Sequence, residues 1–547
     1  MNATDLPELL LVDADEHVPA LDRGAALVAA DERATQELPD FLWDENAAAG
    51  DLVEQRWAVL APEGPEGDAL LAAVDPLISA RAEQQGVPVR IYRVPPRLRA
   101  EEAARWRKGV FQASERDPRD LPRYQLILGD LHAVSAELQA LQATDGFVGR
   151  LAFDSRADYV AYVDKVLSHE QGPPGQVAKA IFHTVHDGTG ATTIGHRALV
   201  EPAIELAREM QGRRRAAFPA EICVSGDVDD PRRDDLLRDA AAGGVLFSVS
   251  HGEGAPRRGW QSLAEQRARQ GAMSFGPDGR LGADELAGAT FLPGGLWFML
   301  ACFGAGTPDT SKYRRWLEVL QAQGQFHGRP EVVLGSLPRA GEPPFVAALP
   351  KAALASPRGP LGFIGHVDLA WTYSFRELDA GKPTNRPQRF VHTLASALRG
   401  DRLGVAFHAL FRFFAQTNTE LTTLDEDEVA DPTRRAHLWM LRNDLAGYVL
   451  LGDPAARLPI AAPAPVQAAP RGLSEQASDL LGFRVTQADE PAPAEPALAT
   501  IEAAIGHLLA GTGPLEEVAR RHGLDSHTLT DLLARYRRGG RAAIGRG

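Results

Sequence analysis

Two cysteines, Cys223 and Cys302, are all that 547 residues contain. That excludes a disulfide framework and a cysteine-built zinc cluster. Long apolar runs are also missing, and none approaches the ~18 residues of a membrane span. The opening Met1-Asn2-Ala3-Thr4-Asp5 has no basic region, and Leu9-Leu10-Leu11-Val12 is too short for a signal-peptide core. A cytoplasmic location without membrane partners is therefore expected. Positive charge is in deficit: 73 acidic against 58 basic residues give a net charge of -15. Such a balance argues against a nucleic-acid-binding body and fits simple solubility. Lysine is sparse beside Ala, Arg, Gly and Pro, a composition that points to a GC-rich bacterial genome. No metal or cofactor is expected.

What is present reads as a soluble α/β protein of two to four units, with 44% hydrophobic and 24% charged residues. Strand-like runs are expected at 57–62, 87–94, 124–130, 177–185, 220–224, 331–335, 362–366 and 449–452. Between them, helical spacing is expected over 68–85, 158–171, 196–210, 232–242, 316–323, 389–399, 403–418 and 436–448. Five segments follow. Residues 1–54 are an N-terminal arm, with a short strand at 9–12, and 55–212 form a first α/β unit. Residues 213–460 form a second, 461–497 a Pro/Ala-rich linker, and 498–547 a separate helical module.

Two stretches carry the chemistry. Val245-Leu246-Phe247-Ser248-Val249-Ser250-His251-Gly252 and Leu296-Trp297-Phe298-Met299-Leu300-Ala301-Cys302-Phe303-Gly304 are apolar runs that stop at a reactive side chain among small residues. Such runs read as strands buried on both faces, and ligands bind beyond their carboxyl ends. A thiol becomes a useful nucleophile beside an imidazole that takes its proton and later returns it to the leaving amine. The two residues are 51 positions apart, which leaves room for a crossover helix at 261–270. The backbone N–H groups of Gly252 and Cys302 suit an oxyanion hole. A lone cysteine after an apolar run is ordinarily a small buried hydrophobe, the role assigned to Cys223. His-Gly after a strand is often only a turn. The two motifs together, in this order, favour a Cys-His dyad.

The order His-Gly and then Ala-Cys about 50 residues later resembles the clan of caspases, metacaspases, legumains and gingipains. The nearer resemblance is to gingipains and spans residues 55–460. His251-Gly252-Glu253-Gly254 with Trp260 resembles that family's histidine stretch, and Leu300-Ala301-Cys302 its cysteine stretch. Gly149-Arg150-Leu151, the helix around Tyr162 to Leu167, and Tyr448-Val449-Leu450-Leu451-Gly452-Asp453-Pro454-Ala455 resemble its first subdomain and its closing Gly-Asp-Pro strand. The resemblance implies a caspase-like three-layer α/β/α fold of two adjoining subdomains. It also implies an endopeptidase that works on a protein or peptide substrate through a thioacyl-enzyme. A third, acidic residue that orients the histidine is implied at Asp187, in His186-Asp187-Gly188-Thr189-Gly190, where the plain reading is a solvated Asp-Gly turn. The pocket acids of the family are replaced: Ala191-Thr192-Thr193-Ile194 holds no carboxylate, and Leu300 stands where metacaspases carry Asp. Asp368 is the substitute pocket acid. Trp371 and Tyr373 are subsite walls or core aromatics, and His366 is a pocket wall or a core histidine. Glu253 is assigned to the pocket rim, and Asp309 reads as solvated.

The tail, Pro514 to Leu529, reads as helix, turn at Gly523 and a second helix capped by Asp525 or Ser526. It resembles the helix-turn-helix modules of transposases. The bland alternative is a three-helix docking module, so its expected partner is a regulatory protein or DNA. The competing function for the whole chain is a non-catalytic scaffold or DNA-linked regulator.

Overall fold

A computed structural model describes residues 11–15, 18, 48–114, 120–173, 178–225, 233–326, 328–339, 341–379, 382–426, 431–460, 515–522 and 529. The chain divides into two compact units, 1–466 and 467–547.

Among its described residues the first unit has eighteen strands. They are β1 (Leu11–Val12), β2 (Trp57–Pro62), β3 (Arg90–Val94), β4 (Tyr124–Leu128), β5 (Phe147–Leu151), β6 (Ala178–Thr184), β7 (Ala220–Val224), β8 (Val245–Val249) and β9 (His251–Glu253). They continue with β10 (Met273–Ser274), β11 (Arg280–Leu281), β12 (Leu296–Leu300), β13 (Gly306–Thr307), β14 (Phe345–Val346), β15 (Gly362–His366), β16 (Arg376–Asp379), β17 (Lys382–Asn385) and β18 (Tyr448–Gly452). Ten of them make one sheet in the order β3-β2-β4-β5-β18-β15-β12-β8-β6-β7, flanked by helices. The expected mixed α/β architecture is present. Every pairing is parallel except β18 with β15. That single antiparallel joint reverses the direction of the sheet. The carboxyl ends of β2, β4 and β5 therefore lie at the opposite edge from those of β6, β8, β12 and β15. Strand β6, which precedes residue 212, pairs with β8 and so belongs to the same half of the sheet as the strands that follow 213.

The central strands are continuous apolar runs because both faces are covered. All five residues of β8 and all five of β12 are buried. Helix Gly64–Gln85 starts four residues before the expected 68 because Pro65 suits a first helical turn. It ends where expected, at Gly86 in the left-handed region with φ 72°. One expectation is overturned. Residues 331–335 form helix Pro330–Ser336, not a strand, and bury Val332 and Val333 on one side. Pro330 at the helix start outweighs the β-preference of the two valines.

The Gly-Arg-Leu and Gly-Asp-Pro motifs meet at the joint between β5 and β18. A side chain at Gly149 would stand 2.2 Å from the Gly452 carbonyl oxygen, so only glycine permits this approach. Asp453 is fully buried and accepts from Trp57 Nε1 (3.0 Å), Arg81 Nε (3.0 Å) and Arg81 Nη2 (2.6 Å). Glu170 holds the other side of the same guanidinium at 2.6 and 2.7 Å. The Asp453 N–H donates to the Tyr162 hydroxyl, which donates to the Leu361 carbonyl. Helices Gly64–Gln85 and Arg156–Gln171 are thereby tied to the last strand.

Burial also sets the acid response. His183, His366, His408 and His437 are each pushed down to about 4 by burial. As pH falls from about 6.5, the unfolded chain takes protons that these folded histidines refuse, and stability is lost. Asp368 and Asp444, pushed up to about 7 by burial, act the other way, because the folded state keeps protons that the unfolded chain releases. Four groups against two decide the sign among these six. The urea midpoint is expected to fall between pH 6.5 and pH 4.5, and a flat or rising midpoint would contradict the argument.

Among the described residues, no helix is long and apolar enough to cross a membrane. In the second unit, helix Leu515–Arg521 is described. The Gly523 turn and the expected recognition-helix start at Ser526-His527-Thr528 lie outside the described residues, as do the linker tracts.

Candidate active site

Four neighbouring parallel strands, β6, β8, β12 and β15, end at one edge of the sheet, and each delivers one part of the site. Strands β8 and β12 run in register, with Val249 opposite Leu300. The next residue, Ser250, donates its N–H to the Leu300 carbonyl (3.2 Å). Continuing that register sets His251 beside Cys302. A Cβ on Gly252 would come within 1.9 Å of the Cys302 carbonyl oxygen. Glycine is thus required for the two strand ends to meet. His251 and Cys302 are both 0% exposed.

The cysteine is held by the loop that follows β15. Its Sγ accepts from the Ala370 N–H (3.2 Å), and its S–H donates to the Ala370 carbonyl, with Sγ 3.5 Å from that oxygen. Phe303, the next residue, has φ 55°, and Asp368 has φ 106°. Non-glycine residues in this region each cost on the order of 1–3 kcal/mol. The two strained residues are joined directly, the Phe303 N–H donating to the Asp368 carbonyl (2.8 Å). Behind the loop, the buried Asp444 carboxylate accepts from the N–H groups of Trp371 and Ser374, both at 2.8 Å. Ala370 and Asp444 carry no motif and were not legible in the sequence.

On the other flank, β6 ends beside β8 and leads into the loop of Asp187. Asp187 is brought to His251 but not into a direct hydrogen bond: its Oδ2 is 3.7 Å from His251 Nε2. Nε2 instead lies 2.8 Å from the hydroxyl of Thr189. Asp187 Oδ1 accepts from Thr189 N–H (3.1 Å) and from the Thr192 hydroxyl (2.7 Å). His251 Nδ1 is buried and makes no hydrogen bond. Burial holds the imidazole below the ordinary histidine value, opposed in part by the Asp187 charge. The ring is therefore neutral near pH 7, as a base awaiting a proton must be.

The residues expected to line a pocket have other work. The Asp368 carboxyl accepts from the N–H groups of Leu369 (2.8 Å) and Lys312 (3.2 Å), tying two loops together. Trp371 is fully buried and packs its ring on Tyr313 and Trp316. Tyr373 packs against His437. His366 sets one ring nitrogen 3.1 Å from the Asp368 carbonyl and the other 3.0 Å from that of Asp444, as a core histidine does. Glu253 is buried rather than at a rim, and its carboxylate meets Arg269 (2.6 Å) and Arg280 (3.7 Å). Asp309 is exposed, as expected. Cys223 is half-buried on β7, two strands from β8, and burial pushes its thiol up.

The N-terminal arm reaches this edge. Strands β1, β9, β10 and β11 form a second sheet, with β1 parallel to β9. Along β9 the N–H groups alternate in direction. Glu253 N–H donates to Ala272 on the β10 side (2.8 Å), and Gly254 N–H to Val12 on the arm side (2.6 Å). Gly252 N–H, the expected oxyanion donor, therefore faces the arm. Asp13 anchors the arm through Arg329 (2.8 Å), and Arg269 donates to the Ala14 carbonyl (2.7 Å).

No protein-family model matches the chain, and no curated protein sequence matches it. Among solved structures, the chain is similar to the Arg-specific cysteine proteinase gingipain R, at 12% identity and a TM-score of 0.40 over 74% of this chain and 78% of that one. It is also similar to the complex of the pro- and mature domains of RgpB from Porphyromonas gingivalis, at 12% identity and 0.41 over 74% and 79%. A structure described only as a protease matches at 12% identity and 0.42 over 75% and 80%.

Proposed function

We propose that this chain is a cysteine endopeptidase whose nucleophile is Cys302 and whose general base is His251. One observation carries the reading. Two parallel strands end side by side on a cysteine held by an N–H and a histidine whose Nδ1 is buried without a partner. His251 Nδ1 removes the thiol proton, and Sγ attacks the substrate carbonyl. The Cys302 N–H, with Gly252 N–H once the arm withdraws, stabilises the oxyanion. Collapse of the tetrahedral adduct returns the proton to the leaving amine and leaves a thioacyl-enzyme. Water, deprotonated by the same imidazole, then releases the acyl group. Asp187 supports the imidazole from the far side. The side-chain preference at the cleavage point is open, because the carboxyl of Asp368 is spent on backbone amides.

The closure of the site favours a second reading, a scaffold that keeps the fold without turnover. A peptidyl acyloxymethyl ketone separates the two. It should modify wild type at Cys302 and leave Cys302→Ala untouched. Absence of labelling with Cys302 shown accessible to a small alkylating agent would sink the peptidase reading.

Opening is a separate matter with its own test. Arg329→Ala removes the ion pair that anchors the arm. Arg329 is partly exposed, so the loss is discounted from the buried-pair range. A loss of about 1.4 kcal/mol would raise the open population, and the labelling rate, about tenfold. An unchanged rate would mean that the arm is not what closes the site.

A further inference from the structure

We infer that His251 is held in one tautomer by a relay of two threonine hydroxyls, Thr189 and Thr192, which ends on Asp187. The inference rests on the peptidase reading for its purpose and on geometry for its existence. Three contacts make the chain: His251 Nε2 to Thr189 Oγ1 (2.8 Å), Thr189 Oγ1 to Thr192 Oγ1 (2.9 Å), and Thr192 Oγ1 to Asp187 Oδ1 (2.7 Å).

Each hydroxyl has one proton to give, so the carboxylate sets the direction of the whole chain. An ionised Asp187 only accepts, which commits the Thr192 proton to it. Thr192 oxygen then only accepts, which commits the Thr189 proton to Thr192. Thr189 oxygen is left to accept from His251, so the ring proton sits on Nε2. In a neutral imidazole the other nitrogen is then bare. That nitrogen is Nδ1, buried and without a partner. Thr192 Oγ1 has two other acceptors in reach, the Thr189 hydroxyl at 2.9 Å and the Thr189 carbonyl at 3.4 Å, and the Asp187 oxygen at 2.7 Å is the nearest of the three.

The position of Thr189 supports this use. It is the residue before helix Gly190–Gly195, where a threonine hydroxyl ordinarily caps the first turn. Here the side chain makes no cap bond and turns to the histidine instead. A direct carboxylate–imidazole contact is not made, because Oδ2 stays 3.7 Å from Nε2. Thr189 and Thr192 are therefore positioning residues, acting through His251. Reverse the polarity, and Nδ1 carries the proton and cannot act as base.

Two readouts on the full chain test the relay. In protein labelled with [15N]histidine, the His251 signals, assigned with His251→Gln, should show the Nε2–H tautomer. In Thr189→Val and Thr192→Val the tautomer should mix or invert. Labelling of Cys302 by the acyloxymethyl ketone should fall about 100-fold in Thr189→Val, a wrong-tautomer loss at the low end of the acid–base range. Thr189→Ser should restore both the tautomer and the labelling rate to within a few-fold of wild type, which a packing defect would not do. An Nδ1–H tautomer in wild type, or wild-type labelling by Thr189→Val, overturns the relay. If no variant labels, wild type included, while a small alkylating agent reaches Cys302, the peptidase reading fails, and the tautomer alone then decides the relay.

Discussion

Replacing Cys302 with alanine is expected to remove peptide hydrolysis altogether, a fall on the order of 10⁶-fold where a covalent nucleophile and its base act as one unit. The size follows from the absence of a substitute. The chain has one other thiol, Cys223, and it sits on β7, separated from β8 by the whole of β6. Cys302→Ser is expected to fare little better. A hydroxyl is far less acidic than a thiol, and an N–H at 3.2 Å placed for a large sulfur is too distant to compensate. His251→Ala should cost nearly as much as Cys302→Ala, and the double variant no more than either. Additive losses would show that the two do not work as a pair. The check is turnover of an unbiased peptide library, read by mass spectrometry, with the urea midpoint of each variant measured alongside.

Asp453→Ala is expected to cost about 3–5 kcal/mol of stability, the range for breaking a buried ion pair by removing one partner. Four donors lose an acceptor at once: the Trp57 indole N–H, the Ala455 N–H and two nitrogens of Arg81. Arg81 is fully buried, and Asp453 and Glu170 hold its guanidinium well above the ordinary arginine value against the cost of burial. Without Asp453 that charge keeps one acid partner. Asp453→Asn should cost less, since an amide oxygen still accepts. Urea unfolding followed by circular dichroism would measure both. A loss under 1 kcal/mol for Asp453→Ala would mean that the Gly-Asp-Pro turn is not what fastens β18 to the first half of the sheet.

The two variants test different halves of the same motif set, and the contrast shows how the sequence was to be read. Gly-Arg-Leu and Gly-Asp-Pro are signatures of assembly, as their likeness to a subdomain segment and a closing strand implies. Arg150 is buried and gives its guanidinium to Gln139 and to the Gly129 and Val134 carbonyls. Glu253, Asp368 and Trp371 look like pocket residues because they neighbour reactive groups in the chain. Each is occupied by a partner that sequence spacing does not reveal: two arginines, two backbone amides, two aromatic rings. Residues 331–335 depart from the expected strand for a related reason, since two valines are a weak signal beside a proline at the helix start.

The sequence by itself determined the α/β architecture and the burial of β8 and β12. It also determined that a histidine and a cysteine stand at the ends of two such strands. Those are local properties: continuous apolar runs, and small residues where runs stop. Only the tertiary structure decided what surrounds the pair. The register of β8 and β12 set His251 beside Cys302. The return of β15 placed the Ala370 N–H on sulfur, and the loop after β6 put two threonine hydroxyls between Asp187 and the imidazole. The arm, over two hundred residues away in the chain, came to lie along the edge that carries Gly252. The reason is physical. A hydrogen bond needs a donor and an acceptor within about 3 Å in a fixed direction, and no periodicity along the chain encodes that meeting.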